Sequence, residues 1–202
     1  MSKQRLESFS DGVIAILITI MVLELRTPHG TTWAALRHDL PVLLAYVLSF
    51  VNIGIYWNNH HHMLAAVSRI SGMALWANQH LLFWLSLIPV ATAWMSDNHF
   101  PPIPVAAYGV VLLAASLAYY TLQATLLRTE GDSSVLAAAI GTDIKGKASL
   151  PMYGLGIGLS FADRWLGIAV YIAMALMWLI PDRRVERTLT RAHQDAGRIS
   201  PR

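Results

Sequence analysis

Six predominantly apolar stretches, separated by short polar tracts, constrain this chain more than any other feature of its sequence. They run at about 8–25, 40–57, 74–95, 104–127, 149–162 and 165–180. About twenty apolar residues cross the hydrocarbon core of a bilayer as a helix, and a helix satisfies its own backbone groups where no water can. The pattern therefore predicts an all-α integral membrane protein built as a six-helix bundle subunit. The fifth stretch is short and carries Gly154, Gly156 and Gly158. Such a composition suits close packing on a neighbouring helix or a re-entrant segment. A five-span count, with the last two stretches fused at Asp163-Arg164, is the alternative.

Composition closes off other classes. Of 202 residues, 55% are apolar and only 13% charged, outside the range of a soluble domain of this size. The absence of cysteine excludes disulfides, thiolate metal sites and cysteine nucleophiles. A net charge of +3 could point to nucleic acid, but most of the basic residues flank apolar spans, as membrane topology requires. No nucleic-acid partner is expected. The N-terminus imitates a signal peptide, yet Glu7, Asp11 and Glu24 sit within or beside the apolar run. No small-x-small cleavage site follows Leu25, so the run reads as a retained first helix.

Counting Lys and Arg between six spans gives 12 on the side of both termini and 3 on the other. The positive-inside rule then places both termini in the cytoplasm. Residues 1–181 form the membrane domain in this reading, and 182–202 a basic cytoplasmic tail that fixes topology. The loop at 128–147 is polar at both ends, with a short interfacial helix expected at Val135 to Ile140.

The head of the first span reads R-L-E-S-F-S-D (Arg5 to Asp11). An ionisable group at the mouth of a membrane helix is costly unless paired, which makes Asp11 a site candidate. On a helical wheel of about 100° per residue, Thr19, Ile20 and Leu23 fall within about 60° of Ile16. Those four form one narrow stripe, with Asp11 about 140° from Ile16. The carboxylate should face neighbouring helices. A stripe of this kind is ordinarily core.

The second span ends in Y-W-N-N-H-H-H (Tyr56 to His62). Three consecutive histidines invite a metal, but adjacent helical residues point about 100° apart, whereas chelation from one helix uses i, i+4 spacing. No metal or cofactor is expected. Trp57 and His61, four apart, share a face instead. Asn78, at membrane depth on the third span, needs a partner that Asp11, Ser10 or His61 could supply. Nucleophile-elbow, phosphate-loop and dinucleotide signatures are all missing, so the chain is not read as an enzyme. Nor does it carry the T-V-G-Y-G filter of ordinary potassium channels.

These motifs resemble the bacterial branch of the transmembrane protein 175 potassium channels. The similarity rests on R-L-E-S-F-S-D-G-V-I-A-I (Arg5 to Ile16), which fits that family's R-x-x-x-F-S-D signature. It extends through T-I-M-V-L-E-L, W-N-N-H-H and N-Q-H-L-L-F-W-L-S-L-I-P, within the first three spans. The resemblance implies a six-helix subunit assembling as a homotetramer around a central pore in a bacterial inner membrane, conducting potassium ions. The narrowest ring would then be Ile16, with Thr19 or Ile20 and Leu23 layered above it. Arg5, Phe9, Ser10, Asp11, Trp57, His61 and Asn78 would form the polar network positioning the pore helix. The competing expectation is a secondary transporter using Asp11 and His61 for proton coupling. The chain lacks the paired broken helices in matching halves that such transporters show.

Overall fold

The computed structural model describes residues 2–25, 27, 29–131, 134–140 and 143–179. All regular structure among them is helical: α1 (Lys3–Leu23), α2 (Trp33–Ala65), α3 (Gly72–Ser86), α4 (Ile88–Asp97), α5 (Pro102–Glu130), α6 (Val135–Ile140), α7 (Ile144–Ala162) and α8 (Arg164–Leu179). The tail expected at 182–202, and Ile180 at the end of the sixth apolar stretch, lie outside the described residues.

Helix starts follow short polar side chains, which satisfy first-turn N–H groups that have no partner within the helix. The Ser2, Thr32 and Ser71 hydroxyls accept from the N–H groups of Arg5, Ala35 and Ala74. Asp143 caps α7 by accepting from the Gly146 N–H at 3.1 Å. The predicted short helix in the loop at 128–147 is α6, on the residues expected.

Three elements differ from the apolar-run reading. α2 extends beyond both ends of the predicted 40–57, through Pro41 and on through the Asn and His run. Polarity did not end it, because Asn59 returns its amide to the Ile55 carbonyl at 2.8 Å and His60 turns into the bundle. The third predicted span divides at Leu87, where Pro89 at the head of α4 has no N–H to donate. α7 begins before the predicted 149 and takes in Lys145 and Lys147. Its 19 residues rise about 28 Å at 1.5 Å each, near the thickness of the hydrocarbon core.

Among the described residues, four helical stretches are long and apolar enough to cross a membrane: α1, α2, the joined α3–α4 and α5. α8 is apolar but shorter, at 16 residues.

α5 is the central post, packed against α3, α4, α7 and α8. Its Val105, Tyr108, Leu112, Ala115, Ala118, Leu122 and Leu126 are completely buried. α1 packs at one side, on α2 and α3. α7 and α8 form a hairpin turned at Asp163, whose carboxylate accepts from the Trp165 N–H at 2.7 Å. Their approach depends on missing side chains. A Cβ at Gly167 would meet the Ser160 hydroxyl and lie 2.9 Å from the Gly156 carbonyl oxygen.

Beyond the apolar run that ends at Leu127, Glu130 clasps the α2–α3 connection. Its carboxylate accepts from the Ser68 and Arg69 N–H groups, each at 2.8 Å, and from the Ser68 hydroxyl. Partial burial pushes this carboxyl up, but those donors and the Arg69 charge outweigh it and leave it below the ordinary carboxylate range. A depressed carboxyl lends stability above its unfolded value and loses it as pH falls through its folded value.

Two outcomes are expected. Gly167→Ala should destabilise the folded protein in detergent by about 1–3 kcal/mol, since the backbone must move. Gly154→Ala, with open space around the new methyl, should instead stabilise it by about 0.4–1 kcal/mol, the helical preference of alanine over glycine. In hydrogen exchange, the Ser68 and Arg69 amides should stay protected at neutral pH and lose protection only as pH falls below the ordinary carboxylate range. Glu130→Gln should remove that pH dependence.

Candidate functional site

α1 has two unlike faces. Leu6, Ser10, Ile14, Leu17 and Met21 are buried at steps of three and four, the spacing of one helical face. Arg5, Phe9, Ile16, Thr19, Ile20 and Leu23 lie on the opposite side, and all are exposed in the subunit. Ile16 is 57% and Leu23 80% exposed. The Thr19 hydroxyl donates back to the Ile16 carbonyl at 2.9 Å. Its polarity is therefore spent on its own helix, and the stripe presents an apolar surface.

Polar bonds hold the buried face. The Ser10 hydroxyl donates to the Leu6 carbonyl at 2.9 Å and accepts from the Asn78 amide at 3.0 Å. The Asn78 carbonyl oxygen lies 2.7 Å from His60 Nε2. With the Asn78 amide donating to Ser10, that oxygen accepts, which assigns the imidazole proton to Nε2. Ser10, Asn78 and His60 are essentially inaccessible, at 0%, 0% and 1% exposure. Three helices are thereby tied through one chain of hydrogen bonds, from α1 to α3 to α2.

At the edge of this face the Trp57 indole N–H donates to the Asp11 carboxylate at 2.9 Å. His61 stacks on the same indole, with ring centroids 6.1 Å apart and planes at 26°. Near the N-terminus the Lys3 ammonium donates to the Ala65 carbonyl at 3.1 Å, giving α1 a second tie to the end of α2.

The structure thus brings Ser10 to Asn78 and Asp11 to Trp57, and sets His61 against Trp57. It does not bring Asp11 to His61: the indole takes the carboxylate, an arrangement that positions the side chains rather than relays a proton between them. Arg5 and Phe9 stand on the exposed line of Ile16. The histidine run divides by direction. His60 enters the core, while His61 lies on the surface, edge-on to His62 with ring centroids 5.8 Å apart.

Sequence reasoning missed His60 as the deep partner of Asn78. Sequence reasoning had no signal for it, since the burial of Ile53, seven residues earlier on the same face, is itself a property of the fold. It also missed a second buried cluster, in which the Ser49 hydroxyl meets Thr92 at 2.6 Å and Tyr108 at 3.0 Å.

An all-helical bundle, with its first helix fixed on one side by buried polar bonds and bare along an apolar stripe, defines an α-helical multi-pass membrane protein. Residues 5–89 match the family model described as endosomal/lysosomal potassium channel TMEM175. The chain is 51% identical over 189 residues to a potassium channel of a Chryseobacterium species, covering 94% of this chain and 98% of that relative. It is 34% identical to a potassium channel of Streptomyces collinus, covering 86% and 90%. Among solved structures it is similar to that of a lysosomal potassium-selective channel TMEM175 homologue from Chamaesiphon minutus. That match has a TM-score of 0.75 and 27% identity, covering 88% of this chain and 96% of the other. The chain belongs to the TMEM175 family.

The anchor gives a graded expectation in unfolding measurements. Asn78→Ala strands the buried His60 N–H and should cost about 2–3 kcal/mol. Ser10→Ala should cost about 1 kcal/mol, and Trp57→Phe, at a half-exposed bond, less than that. Equal losses at all three positions would contradict the burial order.

Proposed function

We propose that this chain is a subunit of a potassium-selective passive channel, assembled as a homotetramer with α1 of each subunit facing a central pore. The observation that carries the reading is the exposed apolar stripe on a helix whose other side is fixed by buried polar bonds. One helix per subunit cannot enclose a pore, whereas four copies of such a face can. The relatives described above, named as potassium channels over nearly the whole length of this chain, support the ion.

Ile16 forms the narrowest ring, with Thr19 or Ile20 and Leu23 layered above it. From Ile16 to Leu23 the constriction extends about 10 Å along the helix axis. A hydrophobic ring gates by dewetting, and it favours potassium because that ion sheds water more readily than sodium. Ser10, Asp11, Trp57, His61 and Asn78 position the helix instead of touching the ion, whereas Arg5 and Phe9, on the line of Ile16, face the mouth of the pore. The channel spans a bacterial inner membrane six times, with both termini and the basic 182–202 tail in the cytoplasm.

In proteoliposomes, Ile16→Asn should raise potassium flux by roughly tenfold, the factor given by a barrier lowered by about 1.4 kcal/mol. Its potassium preference over sodium should fall. Unchanged flux and selectivity would remove Ile16 from the constriction.

A further inference from the structure

A second feature lies inside the subunit, away from the α1 stripe. α2, α5, α7 and α8 enclose a cavity of about 500 Å³, its open mouth included. It narrows inward to room for about two waters and stays open at its mouth. Tyr56, Tyr119, Tyr120, Tyr153 and Trp178 bring aromatic rings to the wall. Asp143, the cap of α7, is the charged residue in the lining.

The hydrogen bonds decide which chemistry the wall offers. Several of its donors are spent inside the protein. The Tyr56 and Tyr119 hydroxyls donate to the Leu112 and Asn59 carbonyls at 3.4 and 3.3 Å. The Trp178 indole donates to the Ser149 hydroxyl at 3.0 Å. The Asn59 amide goes to Ile55 and the Gln123 amide to Asp143. What remains is the Tyr120 and Tyr153 hydroxyls, which can donate or accept, together with the Asp143 carboxylate and ring faces. The Asp143 carboxylate takes one bond from Gln123 and one from the Gly146 N–H, both at 3.1 Å. About two of its four lone-pair sites are left. The Asp143 carboxylate disfavours anions. Aromatic faces beside a carboxylate attract ammonium groups that carry apolar substituents.

The chain already shows that attraction. The Lys145 ammonium stands over the Trp178 ring, 6.0 Å from its centroid. We propose that this cavity binds a compact substituted ammonium ion, of the size of tetramethylammonium or a choline headgroup. Its charge faces Asp143 and its methyl groups pack against the tyrosine and Trp178 rings. Lys145 competes for the same aromatic surface. The site is separate from the α1 stripe and does not depend on ion conduction.

Tetramethylammonium chloride is titrated calorimetrically into the purified full chain, against sodium chloride at equal ionic strength. Wild type should bind tetramethylammonium in the millimolar range. Asp143→Asn keeps the side-chain oxygen that caps α7 and tolerates the left-handed φ of 41° at this position. It should weaken binding by about tenfold. Tyr120→Leu, at the exposed mouth, should weaken it about threefold. Lys145→Gln should strengthen it, which misfolding cannot imitate. Repeating the titration in nanodiscs separates the sources. Weaker apparent affinity in phosphatidylcholine than in phosphatidylglycerol assigns the site to a lipid headgroup, and equal affinity assigns it to a soluble amine. No heat beyond sodium chloride in wild type, or equal affinities in all four proteins, would overturn the proposal.

Discussion

The buried hydrogen-bond chain through Ser10, Asn78 and His60 is the constraint on which the rest of this structure depends. In lipid the hydrophobic effect gives helices little reason to choose one rotation about their own axis over another. An unpaired amide or imidazole in that environment is costly, so one rotation of α1 satisfies all three side chains and others leave them stranded. The same rotation turns Ile16, Ile20 and Leu23 outward and buries Ile14, Leu17 and Met21. The Trp57–Asp11 bond fixes the edge of that face. The R-x-x-x-F-S-D motif thus acts as a keyed joint for an apolar helix, and its carboxylate is a structural acceptor.

The other half of the subunit is held by a different means. α5, α7 and α8 approach closely because Gly109, Gly156 and Gly167 leave room for the Tyr171 ring and the Ser160 hydroxyl. Tyr171 is itself fully buried and stands edge-on to Tyr108, with centroids 5.8 Å apart. Small residues let backbones meet where lipid supplies no compaction. Polar atoms line the interior beside this packing, and among the described residues every buried side-chain nitrogen and oxygen has a partner. The molecule therefore pairs a polar-keyed first helix with a glycine-packed hairpin, and α2 and α5 lie between them.

Much of the fold was legible in the sequence because membrane helices advertise themselves by apolar length. Each apolar stretch became helix over its described residues, and the family expected from the first three spans is the one to which the chain belongs. Boundaries were less legible where polar side chains found partners. α2 ran on through Asn59 and His60, since one bonded its own backbone and the other crossed to Asn78. α7 started early because Asp143 capped it and its lysines lie in the first turn. The wheel correctly separated Asp11 from the Ile16 stripe, a purely local relation. It could not choose between His60 and His61, which differ by about 100° on one helix, because that choice depends on where α3 stands.

By itself the sequence determined that this chain is helical and lipid-embedded, and which residues of α1 share a face. Those properties follow from hydropathy and from the fixed 3.6-residue period, which need no knowledge of neighbours. The tertiary structure alone decided which face of α1 turns inward, which histidine of three enters the core, and that α2, α5, α7 and α8 enclose an aromatic cavity at Asp143. Each of those depends on groups brought together from different helices. Only a completed set of partners makes burial of a polar side chain favourable.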